Sequence, residues 1–207
     1  MPKTTPLIKV NAVRALKAKV VLIGNNFDDA LKESKTFCKK NKVNFIHPFD
    51  DPLVIAGQGT VGMEISEQFP ENLYAVFVAV GGGGLIAGIG AYLNKALPNV
   101  KIIGVEAADS AGLHASMNAG KRVKLKEVGL FADGAAAKQI GKNNYELIKD
   151  FLDDSITVDT DEICAAVKDT FLETRTVPEP TGALALAGLK KYIGQKRIKN
   201  KNLIATY

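Results

Sequence analysis

The chain has no tryptophan, and only two cysteines and two histidines among its 207 residues. Cys38 and Cys164 stand alone with no C-x-x-C pair, which argues against a disulfide framework and predicts buried, reduced thiols. His47 and His114 are too few and too far apart to suggest a zinc site, so no metal is expected. There is no apolar run of about 18 residues, and Met1-Pro2-Lys3 opens no signal-peptide core. Those absences predict a cytoplasmic chain with no membrane partner. Missing too are G-x-S-x-G, H-E-x-x-H and a glycine-rich loop ending in Lys-Ser or Lys-Thr. They exclude the nucleophile elbow, the zinc-protease helix and the phosphate loop of the common ATPases.

A net charge of +5 invites a nucleic-acid reading. The lysines gather at Lys39-Lys40-Lys42, at Lys121 to Lys126, and from Lys190 to Lys201, in turns and at expected helix C-termini. Cations there complement the helix dipole. Aromatics are 7% of the chain and do not interleave with the basic residues, so no nucleic-acid partner is expected.

What is present is an ordinary globular composition, 46% hydrophobic and 24% charged, in a chain long enough to bury a core. Thr5-Pro6 reads as an N-cap with proline at the first helical position, followed by Leu7, Val10, Val13 and Leu16 at helical spacing. A short strand is expected over 19–24, a helix from Phe27 to Asn41, and a second strand over 43–46. His47-Pro48-Phe49-Asp50-Asp51-Pro52 is a break, taken as the seam between a first lobe, 1–50, and the rest, 51–207. Beyond it a helix is expected from Leu53 toward Phe69. Its Gly57, Gly59 and Gly62 point to a close helix approach or to a kink beside a pocket.

Strands are expected at Leu73–Val80, at 101–105 and at Ser155–Val158. Helices are expected at Leu85–Ala96, Ala111–Ala119, Tyr145–Leu152, from Asp159 to Thr174, and from Gly182 to Ile193. Asp159 with Glu162 forms a capping-box signature. Such alternation without hairpin turns means an α/β fold, an open and mostly parallel sheet with helices on both faces. The last residues, Leu203 to Tyr207, read as a core strand cut short, and the opening helix lacks a strand leading into it. The chain is therefore expected to be truncated at both ends.

At the end of the first buried strand lie Gly81, Gly82, Gly83 and Gly84. In a strand-to-helix turn, residues without Cβ let backbone N–H groups converge on a ligand, and the following helix adds its positive dipole end. That combination suits a phosphate, although a bare tight turn would use the same residues. Gly82, Gly84 and Ala87 also satisfy G-x-G-x-x-A, with Glu106 ending the next apolar run where a ribose-binding carboxylate would stand. A nicotinamide-dependent oxidoreductase is thus a rival from spacing alone. The small residues at 132–137 suit backbone passing close to something flat or a tight packing corner. Glu179, rigid between Pro178 and Pro180, is a fixed carboxylate for a site or a simple helix-entry charge.

These stretches carry a specific resemblance. Met1-Pro-Lys-Thr-Thr-Pro-Leu, His47-Pro-Phe-Asp-Asp-Pro, Ile55-Ala-Gly-Gln-Gly-Thr, Val80 with the four glycines and Leu85, Gly129-Leu-Phe-Ala-Asp-Gly, Asp159-Thr-Asp-Glu-Ile-Cys-Ala-Ala and Glu179-Pro-Thr-Gly-Ala-Leu resemble the biosynthetic threonine dehydratases. These are pyridoxal-phosphate lyases of the tryptophan-synthase-β-like fold (fold type II, three αβα layers), and the similarity covers essentially the whole chain. It implies that Gly81, Gly82, Gly83, Gly84 and Leu85 wrap the phosphate of pyridoxal 5'-phosphate, that backbone near Gly134 passes its ring, and that Glu179 stands close to it. Relatives with racemase activity hold a divalent cation with the carboxylate at the position of Glu106. Gly112 stands where they supply a second carboxylate, a departure from that metal site.

Three pieces of the family pattern are absent: the Ser-Phe-Lys-x-Arg-Gly-Ala stretch with the Schiff-base lysine, the Ser-Gly-Asn-His substrate loop, and the Ser-Gly-Ala-Asn motif. The resemblance therefore implies no catalytic residue within this chain. Residues 1–50 would be part of the small lobe and 51–207 most of the large one, with no isoleucine-sensing regulatory domain. The intact enzyme would convert L-threonine, a small amino-acid substrate, to 2-oxobutanoate and ammonia, as a homo-oligomer, dimer or tetramer, with the fragment alone inactive. A serine/threonine dehydratase or serine racemase of the same fold is the alternative.

Overall fold

Helix α1 (Leu7–Ala15) and helix α2 (Phe27–Asn41) belong to the first of two units, Met1–Ile46, in the computed structural model, which describes residues 1–207. α2 starts where the Asn26 side chain accepts the Asp29 N–H at 2.9 Å. It ends with Lys39 and Lys40 in its last turn and Lys42 in the left-handed conformation, so cations face the carbonyl end of the dipole. α1 departs from expectation at its start. Pro6, not Thr5, is its N-cap, and no side chain caps it. The strands expected at 19–24 and 43–46 do not form. Residues 21–24 instead bond the first residues of the chain, Ile23 N–H to Met1 O and Lys3 N–H to Gly24 O at 2.9 Å each. Within this unit no neighbouring strand supplies the ladder that a strand needs.

The second unit, His47–Tyr207, contains α3 (Pro52–Gln68), β1 (Leu73–Ala79), α4 (Gly84–Ala96), β2 (Lys101–Ala107), α5 (Gly112–Ala119), α6 (Lys142–Ile148), β3 (Leu152–Val158), α7 (Thr160–Thr174), α8 (Pro180–Lys196) and β4 (Asn202–Ala205). The unit begins at His47 and not at residue 51, because Phe49 and Asp50 pack and hydrogen-bond against α6 and the glycine turn. All strand pairs are parallel, in the order β3-β2-β1-β4. β1 is thus flanked on both sides, consistent with its near-continuous apolar sequence. Alternate residues serve opposite faces. Ala75, Phe77, Ile103 and Val105 pack with Ile163, Ala166 and Leu184 from α7 and α8. Val76, Val78 and Ile102 pack with Ile55, Ile86, Ile89 and Ile148 from α3, α4 and α6. This is the three-layer α/β architecture.

Two boundaries move for reasons outside their own segments. α6 begins at Lys142 because the Asp50 carboxylate, distant in sequence, accepts the N–H groups of Lys142 and Asn143 at 2.9 Å. β3 begins at Leu152, earlier than expected, because the Asp153 side chain accepts the Ile102 N–H at 2.8 Å and carries the ladder past an irregular register. The capping box of Asp159 and Glu162 forms as expected. Lys190 pairs with Asp169, and Lys191 with Glu162 at 2.9 Å, so the first two residues of the C-terminal basic stretch serve the contact of α8 with α7. Cys164 is free but exposed on α7, not buried; Cys38 is free and half-buried.

The glycines inside α3 mark a close helix approach. A Cβ on Gly62 would sit 2.9 Å from the Ile89 carbonyl, and one on Gly88 would run into the Ile55 carbonyl and the Gly59 amide. Gly57, in contrast, is exposed with nothing within 4 Å of its missing Cβ. Gly57→Ala is therefore expected to stabilise the chain by about 0.5–1 kcal/mol through helix propensity alone. Gly88→Ala is expected to destabilise it by about 1–3 kcal/mol through overpacking. Urea unfolding of the two variants checks the pair; equal shifts would contradict the close approach.

Candidate functional site: the glycine turn at the end of β1

In a parallel α/β sheet the open crevice lies beyond the carboxyl ends of the strands. Here β1 ends at Ala79, and the Val80 N–H still bonds the Val105 carbonyl at 2.8 Å. The chain then turns through Gly81, Gly82 and Gly83 into α4, whose N-cap is Gly83 at φ 90°, ψ 0°. A positive φ of that size favours glycine. The cap supplies no side-chain acceptor, and the first turn of α4 carries no acidic residue. No protein acceptor is paired with the backbone N–H groups of Gly81 to Leu85. Helix N-termini normally satisfy these donors with a cap, water or a ligand, and together they present about half a positive charge.

The protein side of the turn is filled. Cβ atoms on Gly81 and Gly84 would stand 2.8 Å from Ala135 Cα and the Phe49 carbonyl, and one on Gly83 2.9 Å from the Ile140 side chain. A Cβ on Gly82 would overlap the Phe49 ring. The Gly82 carbonyl points into this packing, accepting the Gly141 N–H at 3.0 Å and Asn144 Nδ2 at 2.8 Å. Asn144, fully buried, also donates to the Phe49 carbonyl at 2.8 Å. The His47-Pro48-Phe49-Asp50 turn is itself closed by His47 Nδ1, which accepts the Asp50 N–H at 3.0 Å.

Other expected residues converge on the same end of the sheet. Gly134 is exposed, but a Cβ on it would lie 3.0 Å from Thr181 Oγ1 and 3.1 Å from Glu179 Oε1. The small residues of this segment, with Ala132 and Ala135 in the core, therefore also answer to tight packing. Glu179 is the N-cap of α8, with Pro180 behind it and its side chain unused as a cap. Just past β4, the Thr206 N–H bonds the Phe77 carbonyl at 3.1 Å. Thr181 Oγ1 and Thr206 Oγ1 are buried without a hydrogen-bond partner, and such groups in native proteins usually have one. Turn donors without acceptors and orphaned hydroxyls at one end of the sheet fit a phosphate-bearing cofactor.

Sequence reasoning missed Asn144 and the part played by Phe49 and Asp50. Their contacts join segments more than thirty residues apart, and no local pattern reports them. Thr181 and Thr206 carried no signal beyond a neighbouring proline or strand end.

Glu106 corrects the nicotinamide reading. It is 1% exposed, and its two oxygens accept the N–H groups of Leu113 and His114 at 2.7 Å each, anchoring the start of α5. A ribose cannot reach a carboxylate sealed and engaged in this way. Burial pushes its pKa up to about 7 from 4.5, against the lowering pull of backbone N–H groups from His114, Leu113 and Gly112. The folded state therefore binds this proton more tightly than the unfolded chain. The stabilisation it brings is complete below about 4.5 and is lost as pH rises through about 7. Relative to Glu106→Gln, the wild-type chain is expected to lose stability between these values and to level off above them. Urea unfolding of both from pH 4.5 to 8 measures this; a constant difference would contradict it.

The chain is similar to known proteins along nearly its whole length. The chain is 52% identical over 203 residues to a mitochondrial threonine dehydratase from Schizosaccharomyces pombe, covering 98% of this chain and 34% of that protein. It is 49% identical over 208 residues to the biosynthetic L-threonine dehydratase of Burkholderia multivorans, covering 99% of this chain and 41% of that one. The chain thus spans well under half the length of these curated relatives. The processed form of threonine deaminase isoform 2 from Solanum lycopersicum superposes with a TM-score of 0.93 at 45% identity, over 99% of this chain and 60% of that one. Serine racemase from Dictyostelium discoideum gives 0.83 at 31% identity, over 99% and 66%. A family profile described as pyridoxal-phosphate dependent enzyme matches residues 1–206. With that match over nearly its whole length, the chain belongs to the family of pyridoxal-phosphate dependent enzymes.

Proposed function

We propose that this chain supplies the phosphate-binding part of a threonine dehydratase, an enzyme that removes water and then ammonia from L-threonine to leave 2-oxobutanoate. The observation that carries the reading is the set of acceptor-free N–H groups from Gly81 to Leu85 at the N-terminus of α4. Threonine as substrate rests on the relatives, which are threonine dehydratases at 49–52% identity. The serine racemase likeness, at 31%, gives the alternative within this fold less support.

In this reading Gly81, Gly82, Gly83, Gly84 and Leu85 hold the phosphate through backbone N–H groups and the α4 dipole. Gly134 borders the cofactor ring through its backbone, and Glu179 stands at the same end as a rigid carboxylate. When bound, pyridoxal phosphate supplies an electron sink for the α-carbon of an amino acid. The residues of this chain bind and orient; none is assigned a proton transfer, because no Ser-Phe-Lys-x-Arg-Gly-Ala stretch occurs among them. The unit Met1–Ile46 is assigned to the small lobe and His47–Tyr207 to the large one. The same reading has the enzyme work as a dimer or tetramer in the cytoplasm. No helix in the structure is long and apolar enough to cross a membrane.

A phosphate held by N–H groups and a helix dipole alone binds reversibly. The 207-residue chain is therefore expected to bind pyridoxal phosphate without turning over threonine, and borohydride is expected to trap no dominant lysine adduct. Mass spectrometry after reduction, with a 2-oxobutanoate assay, tests both. One dominant labelled lysine accompanied by turnover would show that the chain carries its own catalytic lysine.

A further inference from the structure

The Gly82–Gly83 peptide is the hinge of the phosphate turn, and its orientation is fixed from behind. In a planar trans peptide the carbonyl of one residue and the N–H of the next point in opposite directions. The Gly82 carbonyl is drawn into the protein by Asn144 Nδ2 at 2.8 Å and the Gly141 N–H at 3.0 Å. The Gly83 N–H, which no protein group accepts, is thereby turned away from Asn144 and Gly141 at the N-terminus of α4. Were this peptide to flip, a carbonyl dipole would face the anion in place of a donor.

We propose that Asn144 is a positioning residue for phosphate binding, with Asp50 as its support. The inference rests on the phosphate reading given above. Asn144 has two side-chain N–H donors and spends them on two carbonyls, Gly82 and Phe49 at 2.8 Å each. Its own backbone is held in turn. Asp50 Oδ1 accepts the N–H groups of Asn143 at 2.9 Å and Asn144 at 3.2 Å, and Oδ2 accepts that of Lys142 at 2.9 Å. Asn143 Nδ2 returns a bond to the Asp50 carbonyl at 2.9 Å. The break at residues 47–50 thus reaches the turn through α6. Neither Asn144 nor Asp50 touches the ligand in this account; both act through the Gly82 carbonyl.

The test uses the 207-residue chain, with inorganic phosphate, pyridoxal phosphate and pyridoxal as probes. Asn144→Asp keeps the shape and removes both donors; Asp50→Asn weakens the support from a half-buried position. The readouts are binding constants and the proton shift of the Gly83 amide on adding phosphate. In the wild-type chain that shift is expected to move with phosphate. In Asn144→Asp, affinity for phosphate and pyridoxal phosphate is expected to fall about tenfold or more, the worth of about one hydrogen bond. Pyridoxal, which has no phosphate, is expected to bind as before, and the Gly83 shift to be lost. Asp50→Asn is expected to change the same readouts in the same direction, less strongly, and decides the matter if Asn144→Asp does not fold.

A merely structural role would weaken pyridoxal and pyridoxal phosphate alike, and that result, or unchanged phosphate binding, overturns the inference. A wild-type Gly83 amide indifferent to phosphate overturns the phosphate reading itself, and the inference with it. A responsive wild type with equally responsive variants overturns the inference alone.

Discussion

A buried parallel strand must end abruptly and start a helix without exposing the helix's orphan donors to an apolar core. The turn from β1 into α4 meets that constraint with Gly83 at φ 90° and with no capping side chain. Most neighbouring features follow from it. Phe49, Ala135 and Ile140 occupy the space where Cβ atoms would be. The Gly82 carbonyl is satisfied from behind, and the N–H groups of the turn are left without a protein acceptor. A side-chain cap would have satisfied these donors; glycine leaves them unsatisfied by the protein.

The same end of the sheet collects groups with spare hydrogen-bonding capacity, and the rest of the unit is spent on packing. Thr181 and Thr206 keep unpartnered hydroxyls there. Glu106, one strand over, shows the opposite solution. It uses its carboxylate to cap α5 internally, at the cost of a pKa raised to about 7 by burial. Two strand-to-helix transitions in one sheet thus differ in what accepts the helix's first N–H groups. At α5 the Glu106 carboxyl accepts them; at α4 no protein group does. This contrast, more than the glycine count, separates the phosphate reading from a bare turn.

Much of this was legible in the sequence because it is local. The apolar run of β1, the glycines after it and the Asp159–Glu162 capping box each carry their structure within a few residues. The expectation of an open parallel sheet came from the order of such pieces. What was not legible depends on distant partners. Residues 19–24 and 43–46 have strand composition but no strand beside them in their unit. The start of α6 is set by Asp50 and the start of β3 by Asp153 bonding Ile102. Asn144 in sequence is an ordinary polar residue near a helix start; only the fold puts it behind Gly82. Glu106 misled because spacing matched a ribose-binding carboxylate while its real partners, the N–H groups of Leu113 and His114, lay in the next helix.

The central claim, that the glycine turn is a phosphate site of the pyridoxal-phosphate family and not a nucleotide site, is tested most directly by equilibrium unfolding of the chain with added ligands. A ligand that binds only the folded state at a hundred times its dissociation constant adds about 2.7 kcal/mol of stability. Pyridoxal phosphate is predicted to raise the denaturation midpoint in proportion to the logarithm of its concentration, inorganic phosphate to do so more weakly, and NADH not at all. A midpoint raised by NADH and unmoved by pyridoxal phosphate would contradict the account.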